Sequence, residues 1–360
     1  MKIALLLLAA TAATALALAC HRPDDHAGGA PPVSYRDSTK LRGMTLAHEG
    51  YDGHNGYGGT TVPPSLDSLA RLHVNALAIV PYTFMRDPHR PTELPIPQFP
   101  GGETDAAVTA AIRQAHDRGW AVLLKPQIWI GGDHWPGDID FATEAEWAAF
   151  FGHYTDWILH YAELAEANGV AALCVGTELV QTTLKHPEEW RRVIGRVRGS
   201  FAGEITYAAN WGEEFAGLAF GDELDALGLN AYYPLSKRAE PSDAELRAGV
   251  REWLAFAEQR SRAVNRPLWL TEVGYRSATA AWADPHAAAG DRARCADCQA
   301  RCYAALAEVA AESDRLTGVF WWKWPSYLGY DGGRRGQGRG YTPGGKPAAG
   351  VLADFYAHWR

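Results

Sequence analysis

The chain has 360 residues, 47% of them apolar, and a formal net charge of −8. That apolar share supplies a large core, and barrels of parallel strands and helices reach this length as one domain. The acidic balance, with no broad basic face, argues against nucleic acid as the main partner. Fourteen Trp and fifteen Tyr suit the flat apolar faces of sugar rings, and they equally fill cores.

Residues 1–20 (MKIALLLLAATAATALALAC) place one Lys before an apolar run that ends in small residues. This is the pattern of a secretory signal peptide rather than a spanning helix. Its end, Ala17-Leu18-Ala19-Cys20, resembles a bacterial lipobox, which would make Cys20 the lipidation site; ordinary cleavage nearby is the other reading. Residues 21–40 are polar and rich in Pro and Gly and read as a flexible tether. An exported, membrane-anchored lipoprotein facing the periplasm or cell surface is the expected setting, with the membrane touched only through the lipid.

From residue 41 to 360 short apolar runs alternate with longer stretches of helical spacing. The runs cover 41–48, 74–82, 121–129, 171–179, 204–210, 224–232, 267–275 and 316–324. Helices are expected near 64–72, 103–118, 143–168, 187–200, 212–220, 242–264, 291–313 and 346–359. Thr143 with Glu146, and Ser242 with Glu245, fit the capping box, in which a hydroxyl and a carboxylate satisfy free N–H groups of a first turn. Pro64 and Pro187 stand near helix starts, where a missing N–H is harmless. The runs are nearly continuous in hydrophobicity, as parallel strands covered on both faces should be. Eight such units predict an α/β fold, a single (β/α)8 TIM barrel.

Catalytic groups of such barrels sit at the C-terminal ends of the strands. Here those ends carry His48, Tyr82, Trp129, Glu178, Asn210 with Trp211, Tyr232, Glu272, and Trp322 to Trp324. Glu178 ends the fourth run and Glu272 the seventh, so the two face across the mouth of an eight-stranded ring. Two carboxylates in that relation fit glycoside hydrolysis, one protonating the leaving oxygen and the other attacking the anomeric carbon. Burial and a neighbouring carboxylate would keep the acid protonated near neutral pH. Salt bridges to basic residues at the barrel end are the plainer reading of either Glu alone.

The stretches LLKPQIW (123–129), GTELVQTT (176–183), EEWRRVI (188–194), ITYAANW (205–211), LDALGLNAYYPL (224–235), LTEVGY (270–275), GVFWWKW (318–324) and GKPAAGVL (345–352) resemble, in order, glycoside hydrolase family 113, the β-1,4-mannanases of clan A. The resemblance implies Glu178 as acid/base and Glu272 as nucleophile. It implies Tyr232 as the phenol that orients the nucleophile, and Trp322 as the floor under the sugar at the cleavage point. Most of the clan has Asn before the acid/base to hold the substrate 2-hydroxyl. This chain has Thr177, which leaves Asn210 and Asn230 as candidates for that contact.

Lys125, Gln127 and Trp129 alternate along the third run and so share a face. Lys125 there would pair with Glu178, hold a sugar hydroxyl, or belong to a packing layer. Trp211 and Trp324 are further candidates for sugar contact. The loop 47–59 is Gly- and Tyr-rich and reads as a groove wall; it lacks the Gly-Lys-Ser/Thr ending of a P-loop. The loop 330–346 reads as a solvated loop, with a flap at the cleft as the other reading. His153 and His160 are expected to face solvent. Cys174 reads as a buried hydrophobe. Cys295, Cys298 and Cys302 lack a fourth ligand, so a disulfide using Cys295 or Cys298 is expected rather than a metal or iron–sulfur site. No metal or cofactor is inferred. The expected activity is retaining, internal cleavage of β-1,4-mannan or its oligosaccharides. The alternatives are the same mechanism on another β-glycan, or a carbohydrate-binding lipoprotein without turnover.

Overall fold

The computed structural model describes residues 40–330 and 338–360. The stretch read as a signal peptide with Cys20, nearly all of the stretch read as a tether, and the middle of the 330–346 loop lie outside the described residues. Among the described residues there are ten strands: β1 (Leu41–Ala47), β2 (Ala76–Ile79), β3 (Tyr82–Met85), β4 (Ala121–Leu124), β5 (Gln127–Ile130), β6 (Ala172–Thr177), β7 (Glu204–Asn210), β8 (Ala226–Asn230), β9 (Leu268–Val273) and β10 (Leu316–Pro325). The helices are α1 (Val62–Ala70), α2 (Asp105–His116), α3 (Glu144–Ala167), α4 (Val180–Lys185), α5 (Pro187–Arg198), α6 (Glu213–Gly217), α7 (Asp243–Ala263), α8 (Ala296–Ala311) and α9 (Pro347–His358).

Strands β1, β2, β4, β6, β7, β8, β9 and β10 close into one parallel ring, shut by β10 against β1 with Leu41 opposite Gly318. This is a single (β/α)8 barrel. One set of alternate positions, including Ala76, Ala78, Ala121, Leu123, Ala172, Cys174 and Phe320, forms a small buried cluster of its own. The other set, with Leu77, Ile79, Val122, Leu124, Leu173 and Val175, packs with the helices in a larger core. That division is the period-2 pattern of a strand buried on both faces.

The second and third runs are not continuous strands. Pro81 and Pro126 have no N–H for a ladder bond, so each run breaks, and β3 pairs with β5 in a separate two-stranded parallel sheet beyond the barrel rim. Both capping boxes form, at Thr143 with Glu146 and at Ser242 with Glu245. Helix α8 starts at Ala296 rather than 291, because Cys295 is its N-cap and takes the Cys298 N–H. A disulfide joins Cys295 to Cys298, while Cys174 and Cys302 are buried and free. The short α4 was not expected, since nothing in its sequence caps it. His160 is held by Asp105 at 2.9 Å rather than standing free in solvent. Among the described residues no helix is long and apolar enough to cross a membrane.

Candidate active site

Glu178 follows β6 directly. The β6–β7 register shifts between Cys174 and Thr177, and Glu178 takes φ 54°, a left-handed conformation unusual for a residue with a side chain. Its N–H still bonds Ala208 O at 2.9 Å. Behind it, a Cβ on Gly176 would come within 2.6 Å of the Tyr207 ring and 2.8 Å of Trp190, so only glycine lets these aromatics close under the turn. Leu179 N–H donates to Tyr207 Oη at 2.9 Å. Tyr207 in turn donates to Glu214 Oε1 at 2.7 Å. Glu214, fully buried, also accepts from Thr183 Oγ1 and Asn210 N–H. Burial pushes its carboxyl up to about 7. This network fixes the turn that presents Glu178, and nothing in the Glu213-Glu214 pair signalled it.

The Glu178 carboxyl accepts a hydrogen bond from Asn230 Nδ2 at 2.9 Å, and Asn230 Oδ1 accepts from Thr271 Oγ1 at 2.9 Å. Loss of water contact, and then the charge of Glu272, push Glu178 up to about 8. At neutral pH it holds a proton that it can donate.

Glu272 lies at the end of β9, 6% exposed, where the pairing with β8 also shifts register. Lys125 Nζ reaches its Oε1 at 2.5 Å and Gln127 Nε2 reaches the same oxygen at 3.0 Å. Tyr232 donates to Oε2 at 2.9 Å. Two donors on one oxygen and one on the other fix the plane of the carboxylate, and the ammonium balances its charge. Trp322 is half-buried, with the Lys125 ammonium 5.7 Å from its ring centroid. Gly274 lets the β9 end approach it, since a Cβ there would meet Trp322 O at 2.4 Å.

Several expectations need correction. Lys125 is fully buried, out of reach of the cleft, and pairs with Glu272, not Glu178. Asn230 is fully buried and spends its amide on Glu178 and Thr271, which leaves it no exposed group for a substrate hydroxyl. Trp324 is 3% exposed and donates to Ser65 from the core. Asn210 and Trp211 are half-buried at the end of β7, and Trp211 packs edge-on against Tyr233 at 5.3 Å. Trp129 is 62% exposed, edge-on to Tyr82 at 6.1 Å. Lys125, Gln127 and Trp129 thus leave the shared interior face in stages, because Pro126 breaks the strand between them.

A cavity of about 690 Å3 opens beside Trp322 and runs along Tyr82, Trp129, Tyr51 and Phe99. The loop after β1 supplies Tyr51 and His48, so it does form a wall. Among the described residues no three His, Cys, Asp or Glu side chains are grouped to hold a metal.

A barrel whose mouth brings together two buried carboxyls, one raised by its surroundings and one paired with a lysine, beside aromatic walls is the arrangement used by barrel glycoside hydrolases. The family model of Glycoside Hydrolase Family 113 matches residues 44–346, and the chain belongs to that family. It is a glycoside hydrolase. It is similar to the GH113 β-mannanase AaManA from Alicyclobacillus acidocaldarius, solved in complex with ManMIm, at 28% identity over 91% of this chain and 100% of that one, TM-score 0.79. A complex structure of a GH113 β-1,4-mannanase matches at 23% identity over 89% and 99%, TM-score 0.78. The Faecalibacterium prausnitzii β-glucuronidase shares the fold at 13% identity, over 89% of this chain and 49% of its own, TM-score 0.60. No curated protein matches the chain.

Proposed function

We propose that the protein is a retaining, internally cleaving β-1,4-mannanase that uses Glu178 as acid/base and Glu272 as nucleophile. The observation that carries the reading is the division of state between the two carboxyls: one raised to about 8, the other held by Lys125, Gln127 and Tyr232. In the first step Glu272 attacks the anomeric carbon. Glu178 gives its proton to the glycosidic oxygen, and the leaving chain departs. Forming the ester removes the Glu272 charge, the second cause of the raised Glu178 value. The now ionised Glu178 takes a proton from water as that water attacks the anomeric carbon, which breaks the bond to Glu272 and frees its carboxylate. Asn230 keeps the carboxyl aimed through both steps. The choice of mannan rests on the family and on the 28% identical mannanase.

The test is incubation of residues 22–360 with β-1,4-mannohexaose, beside cellohexaose, with products followed by chromatography. Shorter manno-oligosaccharides from the wild type, and none from Glu272→Ala, support the chemistry and the sugar together. Cleavage of cellohexaose alone keeps the mechanism and moves the substrate to a glucan. Thr177, where most of the clan has Asn, is the residue that favours this second reading. Binding of either glycan without cleavage points to a binding protein instead.

We also propose export and acylation at Cys20, on the strength of the apolar leader and the Ala17-Leu18-Ala19-Cys20 end. Full-length chain expressed in a bacterium should partition into detergent, and Cys20→Ala should abolish that. Equal partitioning of the two would overturn the anchor.

A further inference from the structure

Glu103 precedes α2 and is 3% exposed. Its Oε2 accepts the Tyr82 N–H at 2.6 Å, which fastens the start of β3. Its Oε1 is buried and has no protein partner, and among the described residues no Lys or Arg forms an ion pair with it. A carboxyl taken out of water with half its bonding capacity unmet is costly. Holding one N–H needs one oxygen, so the fold explains only half of this side chain.

The residue borders the aromatic cavity already described. That cavity has Trp322 and Tyr82 in its wall. Trp322 lies beside the Glu272 ion pair, and the charge of Glu272 also acts on the Tyr82 phenol. A glycan with one ring over Trp322 has room for its next ring in this cavity, the larger of two that border Trp322, the other being a hollow of about 260 Å3 beside Arg276 and Tyr341. The walls are apolar and aromatic: Tyr51, Tyr82, Phe99 and Trp129. Lys323 is also there, but it is paired with Glu49. Flat apolar faces with a buried carboxyl oxygen that lacks a protein partner fit a neutral sugar ring. Burial raises the Glu103 carboxyl to about 7, so near neutrality it can donate or accept, as a hydroxyl partner requires.

We infer that Glu103 is a specificity-determining residue whose unpartnered carboxyl oxygen takes a hydroxyl of the sugar next to the cleaved one. The inference rests on the glycosidase reading proposed above and adds a named contact to it. The test compares wild type, Glu103→Gln and Glu103→Ala on β-1,4-mannohexaose and on 4-nitrophenyl β-mannoside, which lacks the neighbouring sugar. Glu103→Gln keeps an acceptor for the Tyr82 N–H and so keeps the fold; thermal unfolding checks this.

The expected result is a fall in kcat/KM on mannohexaose of about 10- to 100-fold, carried mainly by KM. It should exceed the fall on the aryl mannoside at least tenfold. In a Glu272→Gln background, Glu103→Gln should weaken mannohexaose binding about tenfold or more by calorimetry. Equal losses on both substrates, or no change in binding, would overturn the assignment and leave Glu103 a fastening for β3. If wild type cuts cellohexaose only, the same comparison on cellohexaose and the aryl glucoside decides the contact, and the sugar alone is revised. If wild type cuts neither glycan, the mannan and glucan readings both fail and this contact fails with them.

Discussion

Glu178 stands in a left-handed backbone conformation at φ 54°, which costs a side-chain-bearing residue of order 1–3 kcal/mol unless its surroundings enforce it. The Tyr207–Glu214 network and the bond to Ala208 supply that enforcement. The return is a carboxyl raised to about 8, first by loss of water and then by Glu272. Activity that needs this proton should fall as pH rises through about 8, seen as the basic limb of kcat/KM on β-1,4-mannohexaose, whose leaving group is unactivated. Glu272→Gln removes the second cause, so the Glu178 value should drop, read by carboxyl NMR titration of the variant. An unchanged titration would mean that the two carboxyls do not sense each other. Lys125→Met is a separate probe. It leaves Glu272 buried without its cation, and breaking a buried pair costs about 3–5 kcal/mol. We expect a loss in kcat of two orders of magnitude or more, with a lowered melting temperature. Activity within a factor of three of wild type would remove Lys125 from the nucleophile's support.

At the scale of elements, Gly274 sets how closely the ends of β9 and β10 approach. Gly274→Ala would push a methyl to 2.4 Å from Trp322 O, so β9 and β10 must part at the floor of the cleft. A displacement near 1 Å at a reacting centre costs about a hundredfold. We expect kcat/KM to fall by at least tenfold, while the barrel, held by its other ladders, still unfolds cooperatively. An alanine variant with full activity would show that the floor can yield. The barrel itself was readable because eight apolar runs and two capping boxes obey local rules, and the ends of those runs marked Glu178, Tyr232, Glu272 and Trp322. Other parts were not readable, for a common reason. Lys125 meets Glu272 across the ring, Asn230 meets Glu178 from two strands away, and Trp324 turns into the core after the register of β10 shifts against β1. Local pattern fixes which face a residue takes only while a strand is regular. Register shifts and the breaks at Pro81 and Pro126 fall at the mouth, where the chemistry is.

For the whole molecule, the mouth is built from carboxyls that the fold disfavours in their charged form. Glu103 and Glu214 are raised from 4.5 to about 7 and Glu178 to about 8, burial being the first cause in each case. A folded carboxyl with a raised pKa binds its proton more tightly than the unfolded chain does. Its contribution is therefore fully present below about pH 4.5 and is lost as pH rises through 7 to 8. A shift of this size corresponds to roughly 3 kcal/mol for each of the two deeply buried groups, Glu103 and Glu214. Melting temperature, measured by calorimetry at intervals from pH 5 to 8.5, should fall across that window. Glu103→Gln cannot ionise, so it should flatten the fall, and its advantage over wild type should be larger at pH 8.5 than at pH 5. Glu178→Gln should show the same crossing while losing activity on unactivated glycans. A melting temperature that rises through this window, or a Glu103→Gln effect equal at both ends, would mean that these carboxyls ionise as freely folded as unfolded. The proposed catalysis needs one carboxyl that keeps its proton at neutral pH, and the burial that raises Glu178 would also make the alkaline form of the protein less stable.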